Sequence, residues 1–439
     1  MQPEHSDAYA LVGGQVWDSA QACLRSGLAI HVNAGRIAAL CPPDQLPADL
    51  PRTDVSGQSV VPGLIDAHVH SEDWHAGFYL ANGVTTVRDV GCALAEILDR
   101  RQRWHADGAT APRLVCCGPL IDGPGKSWLA MSVIVRTPEE TRSQVDQLVA
   151  AGVDQIKLYA SLDWPCFLAA LDQARRHGKL TVAHLQDAGN ARQAIEAGVD
   201  EIEHLSGCAE ALWPERRAYG MPWIKLWPDL SRDRVRALVN LIIERNVWMT
   251  VTLAVWRKIG TAWDPRHGDH PQNRHVPAAL RAWWNQQWPP VMADDLRLAW
   301  ARALPAMQIF TAHLIERGAR IVAGSDTPFI NLLPGFSLHD ELQILVECGM
   351  RPAQALDAAT RLAAEALQIG RLVGTIEPGK EADLLVVNGD PTADIRALTR
   401  LKAVIRGGRW LDPGALLAEA DQQAAAAWPR TQRRISDVY

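Results

Sequence analysis

No stretch of the 439-residue chain approaches about 18 uninterrupted apolar residues, so no membrane-spanning helix is predicted. The opening MQPEHSDAYALVGGQ lacks the basic region and apolar run of a secretory signal, and a cytoplasmic location is expected. The HDEL string at residues 339–342 is internal and cannot act as a C-terminal retention signal. Positive charge is also short. Lys and Arg number 44 against 50 Asp and Glu, a net charge of −6, so no basic field is available to hold nucleic acid or an anionic membrane. The eight cysteines show no CxxC spacing, and adjacent Cys116 and Cys117 suit neither an ordinary disulfide nor a zinc knuckle. Reduced thiols are therefore expected. There is no GxSxG elbow, which argues against a serine nucleophile.

Hydrophobic residues make up 48% of the chain, ample for one large core or for two to three smaller ones. Three zones follow one another. Residues 1–59 read as short strands separated by Gly and Asn turns, a small β structure. From 60 to 372, eight apolar runs (VVPGLIDAHVH, TTVRDV, RLVCCG, QIKLYA, LTVAHL, EIEHL, WMTVTLA and RIVAGSD) alternate with helical segments. Among the helices are ALAEILDRRQRWHADG, TPEETRSQVDQLVAAG with a Thr cap, and NARQAIEAG with a Gly stop. This alternation predicts an α/β fold of parallel βαβ units closing into a (β/α)8 TIM barrel, with an open doubly wound sheet as the alternative. Residues 373–412 return to β character and are expected to pair with the N-terminal strands as one composite β-sandwich domain. A short Ala-rich helix and polar tail, 413–439, end the chain. An insertion at about 206–300 holds ten of the seventeen tryptophans and reads as a helical, aromatic lid, packed against the barrel or a second subunit.

Chemistry concentrates at the ends of the predicted strands. Residues two apart on a strand face the same way, so His68 and His70 point together and can share a cation. Lys157, His184, His204 and Asp326 stand near the ends of four later strands, and in a barrel those ends meet on one face. A lysine inside an apolar strand is costly unless paired or neutralised. Lys157 could form a salt bridge to Asp326 or Glu203, or react with carbon dioxide to give an anionic carbamate whose two oxygens bridge two metal ions.

Taken with NGVTTVRDVG, TVAHLQDAGNARQAIEAGVDEIEHLSG, VAGSDTP, GMRPAQALDAATRLAAEAL and GTIEPGKEADLLVVNGDP, these pieces resemble the amidohydrolase superfamily, in its imidazolonepropionase-like and prolidase-like branch. The likeness runs from about residue 8 to 412. It implies the barrel with its composite β-sandwich, and two divalent metals, usually zinc, with cobalt or manganese also compatible with the donors. It implies that His68, His70 and Asp326 hold the more buried ion and that His184 and His204 hold the more exposed one. Carboxylated Lys157 would join them. A hydroxide shared by the metals would attack a polarised carbonyl while Asp326 moves its proton to the leaving group. Homo-oligomers are common among such relatives.

Two departures bear on the substrate. Gln186 stands where dipeptidase-like relatives have a tyrosine that binds a substrate carboxylate, and Lys126 and Trp128 stand where relatives often show Gly-Gly-His. Lys126, Arg88 or Arg257 could supply a replacement anchor, and Gln186, Lys126, Trp128 and Arg257 are the candidate substrate contacts. A neutral, apolar or aromatic small molecule fits the Trp-rich insertion equally well. The expected reaction is hydrolysis of an amide in an N-acyl amino acid, dipeptide or aryl amide. Carbamate, phenylurea or ester hydrolysis is the near alternative. A one-metal deaminase or cyclic amidase, or a non-catalytic binding protein, stands further off.

Overall fold

The computed structural model describes residues 7–125, 128–186, 189–218, 222–261, 271–277, 281–282, 294–329 and 331–436. The fold is mixed α/β. Seven strands form one parallel sheet in the order Ser132–Ile134, Leu120–Asp122, Ile156–Leu158, Thr181–Ala183, Glu201–Glu203, Trp248–Thr250 and Arg320–Val322. A second parallel sheet joins Arg113–Cys116, Val84–Asp89 and Leu64–Val69. The short strands Leu120–Asp122 and Ser132–Ile134 have no counterpart among the eight predicted runs, because three residues are too few to show a hydrophobic period. Leu64–Val69 also bonds the segment after Arg320–Val322: Ala67 N donates to Ala323 O at 2.9 Å, His70 N to Thr327 O at 2.7 Å, and Asp326 N to His68 O at 2.8 Å.

The helices between strands begin and end where their side chains dictate. Thr137 accepts from Glu140 N to start Pro138–Ala150. Asn190 and Gln193 form a capping box at Ala191–Ala197, and Gly198 closes that helix at φ 93°. Each helix lays an apolar face on the sheets. Val145 and Leu148, Ala170 and Ala174, and Ile195 all enter one continuous core.

The run VVPGLIDAHVH, expected as a single strand, is divided at Gly63. Gln58–Pro62 pairs antiparallel with Leu384–Asn388, while Leu64–Val69 enters the parallel sheet. At Gly63 a Cβ would lie 2.1 Å from Thr85 Oγ1, so only glycine lets the chain cross between the layers there. Strands from the two ends of the sequence pair with one another. Six strands run in the order Arg409–Leu411, Leu401–Arg406, Leu384–Asn388, Gln58–Pro62, Gln15–Asp18 and Cys23–Arg25. A four-stranded sheet of Arg36–Cys41, Ala29–Asn33, Ala8–Val12 and Arg52–Asp54 shares a core with it through Leu11, Ile30, Val60, Val386 and Ile405.

The C-terminal segment departs from expectation. Instead of a short helix and a tail, Pro413–Ser436 is one helix, started by Asp412, which accepts from Ala415 N at 2.8 Å. Leu416, Ala420 and Ala424, spaced four apart, are buried. Gly77 lets the helix Ala76–Ala81 approach, since a Cβ there would sit 2.9 Å from that of Ala420.

The regular structure described in the insertion is helical apart from Trp248–Thr250, with Arg232–Glu244, Leu253–Thr261 and Asp294–Glu316, which runs on past it, the longest pieces. Trp227 and Trp300 are buried in the main core. Trp213 lies between the guanidinium groups of Arg216 and Arg234, at 4.1 and 4.4 Å. Trp263, Trp283, Trp284 and Trp288 lie outside the described residues. All eight cysteines are free thiols. Among the described residues no helix is long and apolar enough to cross a membrane.

Helix Leu253–Thr261 is held from behind. Glu341, fully buried on Phe336–Glu347, accepts from Ala254 N at 2.6 Å. Burial raises its carboxyl to about 8, against the pull of the Ala254 and Leu253 N–H groups. A carboxyl pKa raised by folding favours the protonated form. Its stabilising contribution is complete below the ordinary glutamate value of about 4.3 and is lost as pH climbs through about 8. Glu341→Gln keeps an acceptor for Ala254 and removes the ionisation. Thermal unfolding between pH 5 and pH 9 is therefore expected to depend less on pH in the variant than in the parent, and equal slopes would count against this role.

Candidate active site

The parallel strands bring all six candidate ligands to one end of the sheets. His68 and His70 project from and just beyond Leu64–Val69, and Asp326 follows Arg320–Val322 in a left-handed turn at φ 59°. His204 also adopts a left-handed conformation, at φ 61°, just after Glu201–Glu203. Non-glycine residues in this region cost on the order of 1–3 kcal/mol, and such strain gathers at functional sites. Neighbouring groups hold both turns. Trp256 Nε1 donates to His204 O at 3.0 Å. Buried Asp66 accepts from Ser325 N at 2.9 Å and Ser325 Oγ at 2.6 Å, which fixes the turn that carries Asp326.

The carboxylate of Asp326 is the meeting point. It lies 3.2 Å from His68 Nε2, 3.5 Å from His70 Nε2 and 3.9 Å from His204 Nδ1. The His204 ring is 4.4 Å from that of His68 and 4.7 Å from that of His184. Outer partners settle the imidazoles. His70 Nδ1 faces Gly91 O at 3.1 Å, His68 Nδ1 faces Glu203 Oε1 at 2.7 Å, and His204 Nδ1 faces Thr252 Oγ1 at 2.7 Å. With Nδ1 on Gly91 O, His70 turns Nε2 toward Asp326, and His68 Nε2 faces the same carboxylate. Burial lowers His68, His184 and His204, with His184 near 3. Burial alone would raise Asp326, but His68 and His204 outweigh it and hold the carboxyl well below its usual range.

Lys157 reaches Glu203 rather than open solvent, and burial lowers its amine to about 7. Glu203 is the residue that sequence reasoning named only as a salt-bridge partner. It touches Lys157 and His68 and lies 3.5 Å from Arg88. The Lys157 Nζ, His68 Nδ1 and Glu203 oxygens are in close contact without hydrogen-bond geometry. Among the described residues, two sets present donor atoms within 4.8 Å of one another: His68, His70 and Asp326, and His68, Glu203 and His204. Imidazole nitrogens with carboxylate oxygens fit a zinc-like divalent ion.

The candidate substrate residues divide. Trp128 reaches the rim, where its Nε1 donates to Tyr159 Oη at 2.9 Å and its ring lies 6.5 Å from Phe329. Tyr159, two residues after Lys157 and so on the same face, escaped notice although the same spacing rule picked out His68 and His70. The loop carrying Trp128 is stitched to the loop after Ile156–Leu158. Asp122 accepts from both Gly123 N and Ser161 N, and a Cβ on Gly123 would lie 2.0 Å from Ser161 O. Gln186 is exposed, and Lys126 lies outside the described residues. Arg257 is ion-paired with Glu347. Arg88 is no anchor for substrate. It is fully buried, donating to Ala67 O at 2.6 Å, to Gln155 and, with two nitrogens, to Glu201.

Residues 59–411 match the Amidohydrolase family, to which the chain belongs. Within it the chain falls in the imidazolonepropionase-like and prolidase-like branch, among enzymes acting on carbon–nitrogen bonds. It is 34% identical to an imidazolonepropionase of Geobacillus kaustophilus (strain HTA426) over 427 residues, 87% of this chain and 89% of that one. It is 24% identical to the ochratoxinase of Aspergillus niger over 397 residues, 81% and 70% of the two chains. A solved Xaa-Pro dipeptidase with bound methionine shares the fold with a TM-score of 0.68 at 21% identity, covering 92% of this chain and 100% of that one.

The Arg88 cluster is the structural support beneath the site. Arg88→Met leaves Glu201 buried without its partner, and loss of one member of such a pair costs about 3–5 kcal/mol. Denaturant unfolding is expected to show a destabilisation of that order, and a loss under about 1 kcal/mol would contradict the assignment.

Proposed function

We propose that the chain hydrolyses an amide bond in an N-acyl amino acid, dipeptide or aryl amide. The observation that carries this reading is the convergence of His68, His70 and His204 on Asp326, with His184 beside them. His68, His70 and Asp326 would hold one divalent metal and His184 and His204 a second, with Lys157 joining the two as a carbamate. Zinc suits these donors, and cobalt or manganese fit them as well. Neutral lysine is the form that adds carbon dioxide, forming an N–C bond and releasing one proton, and burial favours that form of Lys157. Bound metals supply a Lewis acid for the carbonyl and a water acidic enough to ionise near neutral pH.

The rest is done by the chain. Asp326, 13% exposed, faces both the histidines and the opening, so it can take a proton from the attacking water and return it to the leaving nitrogen. Glu203, Gly91 and Thr252 hold the imidazoles in place. Trp128, Tyr159 and Phe329 line one side of the opening, and Trp256 with Trp223 and Trp300 stands behind His204. This aromatic setting favours an apolar or aromatic substrate group. We also infer that the two parallel sheets close into one (β/α)8 barrel through the bonds between residues 65–70 and 323–327, and that the paired chain ends form a β-sandwich domain.

One observation supports a second reading. The Lys157–Glu203 contact is what a permanent ion pair would look like, with the lysine remaining an ammonium and one metal on His68, His70 and Asp326. Metal analysis separates the two readings, at two ions per chain or one. In the first reading, Lys157→Ala is expected to lose bound metal and amidase activity together. Full activity in that variant would sink the carbamate mechanism. Amide, carbamate, urea and ester substrates sharing one 4-nitrophenyl or 4-nitroanilide leaving group would assign the scissile bond.

A further inference from the structure

Tyr159 stands beside the histidines with a proton to give. Its ring packs against His184, centroids 4.9 Å apart at 60°. Its oxygen receives the indole N–H of Trp128 at 2.9 Å. An indole nitrogen only donates, so the phenol oxygen is the acceptor in that contact and its own O–H is left to donate elsewhere. Among the described residues no acceptor lies within hydrogen-bonding distance of it. The side chain is half-buried, so this O–H is open to a bound molecule.

Its placement is fixed from three sides. Tyr159 N donates to Ile121 O at 2.9 Å, which sets the backbone. His184 supports the ring, and the Trp128 indole sets the position of the oxygen. The loop carrying Trp128 is itself tied to the Tyr159 loop through Asp122 and Ser161. An accepted hydrogen bond also polarises a hydroxyl and makes its own O–H a better donor.

We infer that Tyr159 is a catalytic hydrogen-bond donor that gives its O–H to the carbonyl oxygen of the scissile amide. The inference rests on the hydrolase reading above. As water oxygen bonds to the carbonyl carbon, the C=O π pair moves onto the carbonyl oxygen, and the bond from Tyr159 strengthens with that charge. The C–N bond then breaks as nitrogen takes the proton carried by Asp326. Tyr159 keeps its own proton throughout. A donor of this kind acts on the transition state more than on the bound ground state, so its loss falls on kcat.

The test uses the metal-reconstituted full chain and a set of N-acyl 4-nitroanilides. Tyr159→Phe keeps the ring against His184 and removes only the hydroxyl. It is expected to lower kcat by roughly 100-fold, the scale of losing one oxyanion donor, with KM changed less than about threefold. Metal content and thermal unfolding are expected to match the parent, which a structural role would not allow. Affinity for the methylphosphonate analogue of the fastest amide is expected to fall by a similar factor, while affinity for the carboxylate product holds. Trp128→Phe is expected to give a smaller loss of kcat, under about tenfold, because it removes the bond that polarises and positions the hydroxyl but leaves the donor itself. A Tyr159→Phe variant with at least half the parent kcat, or with its loss confined to KM, overturns the inference. Failure of the parent chain on every amide would instead overturn the hydrolase reading, so the two failures are distinguishable.

Discussion

The site depends on one buried carboxylate. Glu203 meets the amine of Lys157 on one side and Nδ1 of His68 on the other, with Arg88 behind. Each of these groups alone would be expensive to take out of water, and together they offset one another. The arrangement also transmits position. Arg88 bonds Glu201 and Gln155, and Glu201 accepts from Thr250, so three strands and the residue just before a fourth share one polar network beneath the histidines.

Above that layer the chemistry of the chain changes from charge to shape. Imidazoles, with His70 pinned through Nδ1 and His204 through Nδ1 and its backbone, face a carboxylate that is itself held by the Asp66–Ser325 pair. Around them stand flat aromatic side chains from distant parts of the chain, Trp128 and Phe329 from two loops and Trp256 from the helix Leu253–Thr261. A site built this way is rigid at its polar floor and variable at its rim. The same floor can therefore serve many substrates while the loops select among them.

Much of this was legible in the residues. The alternation of apolar runs with capped helices announced the parallel sheets, and His68, His70, Lys157, His184, His204 and Asp326 could be named because each breaks an apolar strand near its end. The same reasoning applied to Arg88, Glu201 and Glu203 would have found the network below, since three charges in apolar strands also demand partners. Other features leave no local trace. Gly63 divides VVPGLIDAHVH because of the Thr85 side chain, a neighbour set by the fold. Gln186 sits at a position that family likeness made suggestive, yet it is exposed, and only the path of its loop decides that. The long final helix was hidden because its burial depends on Gly77 and on a four-residue Ala spacing too apolar-poor to stand out.

The strand Gln58–Pro62 runs through Gly63 directly into the strand that ends at His68 and His70, and its antiparallel partner is Leu384–Asn388. During synthesis that partner does not exist until some three hundred further residues have left the ribosome. One edge of the site-bearing segment therefore waits unpaired for most of translation, a template for wrong pairing in the interval. Maturation of the reaction centre is in this sense a late event, coupled to the arrival of a strand that contributes nothing to the chemistry. A premature stop ahead of residue 384 would then remove far more than the sheet it truncates.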